Sequence, residues 1–65
     1  MNDETLRKKV KMLKATEAID NYREVAELLE VADGSFYNWL RGYYNLGSEK
    51  KQRLITIIAD LTIPT

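Results

Sequence analysis

The side chains best equipped for chemistry in this chain are Ser35, Tyr37, Asn38 and Arg41. They interleave with Phe36, Trp39 and Leu40, whose i, i+3, i+4 spacing marks the buried stripe of a helix. The polar four therefore share the outward side of that helix, with Gly34 just before them. Together they offer an amide that both donates and accepts, a guanidinium fork, a phenol and a hydroxyl. That is the chemistry of recognition rather than of bond breaking. The chain has no His and no Cys, which removes imidazole and thiol catalysis, disulfides and zinc-finger sites. There is also no phosphate-cradling glycine loop and no evident carboxylate pair. The sequence does not read as an enzyme, and no cofactor and no metal are expected.

Four helices must position those groups. The first is expected from Asp3 to about Glu17, with Leu6, Val10 and Leu13 inward, Asn2 or Asp3 as its cap, and Asp3 and Glu4 at the positive end of its dipole. Arg7, Lys8, Lys11 and Lys14 on its other side read as a solvated face. Asn21 and Glu24 form a capping-box pattern for a second helix that buries Val25, Ala26, Leu28 and Leu29. The third helix carries Phe36, Trp39 and Leu40, takes Asp33 as its N-cap, and is ended by Gly42 in a left-handed conformation. Ser48 is expected to cap a fourth helix, with Leu54, Ile57, Ile58 and Leu61 as its apolar stripe. Only the extreme C-terminus has any strand character. The exposed part of Leu46, the fourth helix and the tail from Leu61 to Thr65 are expected to form a self-association surface.

A chain of 65 residues is a single domain, residues 1–65, near the lower size limit for folding without staples. Its longest apolar run, Leu54 to Ala59, is stopped by Asp60 and falls far short of the about 20 residues a membrane span needs. With no signal peptide, the cytoplasm is the expected location. Ten basic and ten acidic residues give zero net charge, but the charges are segregated. Residues 1–15 hold Arg7, Lys8, Lys9, Lys11 and Lys14 against Asp3 and Glu4. Residues 16–36 hold Glu17, Asp20, Glu24, Glu27, Glu30 and Asp33 against Arg23, and the remainder turns basic again with Arg41, Lys50, Lys51 and Arg53.

The stretch from Tyr22 to Gly42, YREVAELLEVADGSFYNWLRG, has the spacing of a helix-turn-helix. Ala26 supplies the small residue where the two helices cross. Val31, five residues on, tucks the turn inward, and Phe36 and Trp39, ten and thirteen residues on, pin the second helix. Val25 and Leu29 complete the buried side, and Trp39 reads as core only. Residues 25–42 resemble the Cro and lambda-repressor superfamily, and the flanking helices extend the similarity over nearly the whole chain. The resemblance implies an all-α, compact bundle of four or five helices. It also implies a transcription regulator, often from a phage or other mobile element, that binds a pseudo-palindromic operator in double-stranded DNA as a homodimer. The chain departs from the family pattern at the turn, where Glu30 replaces the usual Gly, and at Ala32 and Asp33-Gly34-Ser35, where the usual cap and base-reading residues are changed.

On that reading Gly34, Ser35, Tyr37, Asn38 and Arg41 contact bases. Asn38 matches adenine, and Arg41 a guanine or a phosphate. Gly34 either admits close backbone approach or eases the turn. Arg23, Tyr43, Tyr44, Asn45, Lys50 and Lys51 are the candidate phosphate contacts, with one ring of the tyrosine pair expected buried and the other exposed. The acidic strip Glu24, Glu27 and Glu30 supports an alternative reading, a protein-interaction module such as a phage inhibitor or co-regulator that does not read DNA. In that case the strip would meet a basic partner, a second copy's Lys-rich first helix among the options.

Overall fold

Asn2 begins the fold by accepting the Thr5 amide at 2.8 Å, so that Asp3 starts the first helix with its carboxylate at the positive end of the dipole. The computed structural model describes residues 2–62 and contains four helices: α1 Asp3–Ala15, α2 Tyr22–Leu29, α3 Asp33–Leu40 and α4 Ser48–Thr62. No strand occurs among the described residues, so the fold is all-α. The expected strand character and most of the apolar tail fall at residues 63–65, outside the described residues.

The first three helices end alike. After α1, Ala18 N donates to the Leu13 carbonyl (2.8 Å) and Glu17 N to Lys14 (3.1 Å). After α2, Val31 N donates to Ala26 (3.0 Å) and Glu30 N to Glu27 (3.1 Å). After α3, Tyr43 N donates to Asn38 (3.1 Å) and Gly42 N to Trp39 (3.0 Å). Each is the paired closure of a Schellman turn, which needs one left-handed residue. Those residues are Glu17 (φ 63), Glu30 (φ 62) and Gly42 (φ 90). Glycine takes that conformation freely, whereas each glutamate costs about 1–2 kcal/mol. The left-handed Glu17 also explains why α1 stops at Ala15, two residues before the expected end.

At the start of α2 the capping box forms as expected. Asn21 Oδ1 accepts the Glu24 amide (3.3 Å), and Glu24 Oε2 accepts the amides of Asn21 (3.3 Å) and Asp20 (2.6 Å). Two other caps differ from expectation. Asp33 is the first residue of α3 rather than its cap; Ala32 holds the cap position and offers no side-chain acceptor. Ser48 is likewise already helical, and the Gly47 carbonyl accepts the Lys51 amide at 2.9 Å.

The core joins Leu6, Val10 and Leu13 of α1 to Val25, Ala26 and Leu29 of α2, Phe36, Trp39 and Leu40 of α3, and Leu54, Ile57 and Ile58 of α4. Val31 is half-buried and packs against it. Leu28 does not join the core: it is 49% exposed, because the inward side of so short a helix is filled by its neighbours Val25, Ala26 and Leu29. Leu46 reverses the other way and is buried, which removes it from any surface for self-association. α4 packs on both α1 and α2, and α2 packs on α3. Among the described residues no helix is long and apolar enough to cross a membrane.

Candidate functional site

α3 turns Phe36, Trp39 and Leu40 into the core and leaves Gly34, Ser35, Tyr37, Asn38 and Arg41 exposed. The five residues thus form one outward face, as their spacing requires. The Tyr37 ring stands edge-on to Tyr22 of α2 (centroids 6.0 Å apart), which restricts its position. A Cβ added to Gly34 would meet nothing within 4 Å, so packing does not explain a glycine there.

The C-terminal end of this face rests on buried charge. Trp39 is fully buried, and its indole N–H donates to Asp3 Oδ2 at 2.8 Å. The same oxygen accepts the Leu46 amide at 2.8 Å, and Asp3 Oδ1 pairs with Lys51 Nζ at 2.9 Å. Burial alone would push the Asp3 carboxyl up. The bonds from Trp39, Leu46 and Lys51 outweigh it and bring the carboxyl down from 3.8 to about 2. Beside this node Arg7 Nε donates to the Trp39 carbonyl (2.6 Å) and Nη2 to the Tyr44 carbonyl (2.7 Å) and Asn45 Oδ1 (3.2 Å). Its guanidinium also lies 5.2 Å from the centroid of the Trp39 ring. A cation is favoured at that spot because the carbonyl end of α3 is the negative end of its dipole.

The N-terminal end is held more lightly. Arg23 Nε bonds Asp33 Oδ2 at 3.0 Å, with both side chains substantially exposed. The expected role of Asp33 as a cap is thus replaced by an ion pair that ties the start of α2 to the start of α3.

The loop residues lie against the same face. Tyr43 is 71% exposed. Tyr44 is also exposed rather than buried, although its hydroxyl is fixed by donating to the Ser35 carbonyl at 2.7 Å. No known family model, curated protein or solved structure matches this chain. Its chemistry must therefore be taken from its own residues.

Several expected phosphate contacts are committed within the protein. Lys51 holds Asp3. Lys50 Nζ donates to the Leu29 carbonyl at 3.0 Å; Arg53, not among those expected contacts, donates from Nε to the Leu28 carbonyl at 3.3 Å, and both cap the end of α2. Arg41, by contrast, takes part in none of the ion pairs among the described residues. Sequence reasoning missed Asp3 and Arg7, which it placed at a helix start and on a solvated face. The available signal was the single tryptophan, since a buried indole N–H demands an acceptor.

Proposed function

We propose that the chain is a sequence-specific double-stranded DNA-binding transcription regulator of the Cro and repressor kind, acting as a cytoplasmic homodimer on a pseudo-palindromic operator. The observation that carries this reading is the outward face of α3, where Gly34, Ser35, Tyr37, Asn38 and Arg41 stand exposed on a helix fastened at both ends. α2 and α3, joined through residues 30–32, serve as the helix-turn-helix, and α3 enters the major groove. Asn38 pairs bidentately with an adenine, and Arg41 with a guanine or a phosphate. Gly34 gives up about 1 kcal/mol of helix propensity at a place where packing would accept a side chain, which supports close approach by a ligand. Tyr43 and the Tyr44–Asn45 backbone flank the phosphates, Lys50 adds its remaining N–H donors, and Arg23 joins them by exchanging Asp33 for a phosphate.

One observation favours a second reading, a protein-interaction module that does not read DNA. Arg7, Arg23, Lys50 and Lys51 around the face are all engaged internally, while Tyr37, Tyr43 and Tyr44 are exposed, and tyrosine-rich surfaces are common at protein interfaces. Selection from a random duplex pool at low salt separates the two. Enrichment of a short pseudo-palindrome, with affinity that falls steeply with salt, supports the regulator. Retention of no duplex at any salt concentration overturns it. Within the regulator reading, Asn38→Ala relaxes preference at one base position, whereas Tyr43→Ala weakens all sequences alike.

A further inference from the structure

Away from the α3 face, the ends of α1 and α4 leave a recess of about 290 Å³, lined by Lys9, Met12, Leu13, Ile58 and Leu61 among others. It is apolar inside and basic at its edge. Lys9 lines it, Lys8 and Lys11 are exposed on the same helix, and none of the three takes part in an ion pair among the described residues. Met12 at its rim is 62% exposed.

The chain also carries the complement of that recess. Leu28, 49% exposed on α2, is a large apolar side chain standing outside the core. Glu27 precedes it, and Glu24 lies one turn earlier. Glu27 has no ion-pair partner among the described residues. Glu24 accepts only backbone amides, while Glu30 is drawn toward Arg53 at 3.5 Å. An apolar knob with acidic flanks and an apolar recess with a basic edge thus occur on one chain whose net charge is zero. Opposite patches of this kind attract a second copy at long range and fix its register on contact.

We propose that the α1–α4 recess receives Leu28 of a second copy, with Glu24 and Glu27 of that copy set against Lys8 and Lys9. In a two-fold dimer each copy gives one knob and one recess, so the contact is made twice. This specifies the homodimer of the proposed function and rests on that part of the reading alone.

The test is sedimentation equilibrium of the full chain without DNA, so that failure of the dimer and failure of DNA reading are seen separately. The wild type is expected to dimerise, less tightly at high salt. Glu27→Lys and Lys9→Glu, both surface changes checked for helicity by circular dichroism, are each expected to raise the dissociation constant by about tenfold or more. An equimolar mixture of the two variants restores opposite charges at both contacts. It should associate within about threefold of wild type, as one charge reversal compensates the other. Wild-type protein that is monomeric up to about 1 mM, or a mixture no tighter than either variant alone, overturns the proposal. So does a chain that dimerises only after removal of Ile63, Pro64 and Thr65, since that result assigns the recess to the chain's own end.

Discussion

At its C-terminal end α3 is fastened by a carboxylate and a guanidinium that reach it from α1, one buried and the other partly so, while its N-terminal end has only the exposed Arg23–Asp33 pair and a cap position occupied by alanine. The difference follows from the dielectric around each bond. Removing a partner from the buried end leaves polar groups that water cannot reach, whereas removing one from the exposed end leaves groups that water at once solvates. The helix is therefore set rigidly at Trp39 and more loosely at Gly34, the end where a ligand would make its closest approach.

The sharpest way to break this comparison is Asp3→Ala. It orphans the Trp39 indole, the Leu46 amide and Lys51 together, and should cost about 3–5 kcal/mol, comparable to the whole stability of a domain this size. Urea unfolding at neutral pH should show the protein largely unfolded, and an unchanged midpoint would show that the node does not fasten α3. Arg7→Ala should follow at about 2–3 kcal/mol, because it removes charged bonds to two carbonyls and the stacking on Trp39. Acid should act on the same end. The Asp3 carboxyl ionises at about 2 in the fold against 3.8 ordinarily, so its contribution is complete above about pH 5. As the pH falls through that window the unfolded chain takes up the proton first. Roughly 2 kcal/mol of stability should be lost by pH 2, read as a falling melting temperature between those values.

At the lighter end the effects should be smaller. Ala32→Ser supplies the missing N-cap acceptor and should stabilise by about 1 kcal/mol. Arg23→Ala should cost no more than about 0.5 kcal/mol. If Arg23→Ala proved as damaging as Arg7→Ala, the two ends would not differ as described.

Features set by local chemistry were legible in the sequence. The four helices, the Asn21–Glu24 capping box, the Gly42 stop and the inward residues Val25, Ala26, Leu29, Phe36 and Trp39 all stand where spacing placed them. The outward set on α3 is also where its period put it. Features that depend on tertiary neighbours were not legible. Asp3 meets Trp39 and Leu46 across 36 and 43 residues, and no local pattern announces such a meeting. Leu28 satisfies a helical period but lies at the edge of a face already filled. Lys50 and Lys51 read as phosphate contacts in the sequence, yet each holds a specific oxygen within the protein.

The chain contains one tryptophan and four tyrosines, and the tryptophan sits at the joint that sets the orientation of α3. The molecule consequently carries its own optical reporter. Indole emission selectively excited at the red edge of the absorption band comes from Trp39 alone. It should shift to longer wavelength when the joint opens to water, while tyrosine signals follow events on the outer face. Loosening of the helix and engagement of its surface can thus be watched as two separate colours in one unlabelled sample.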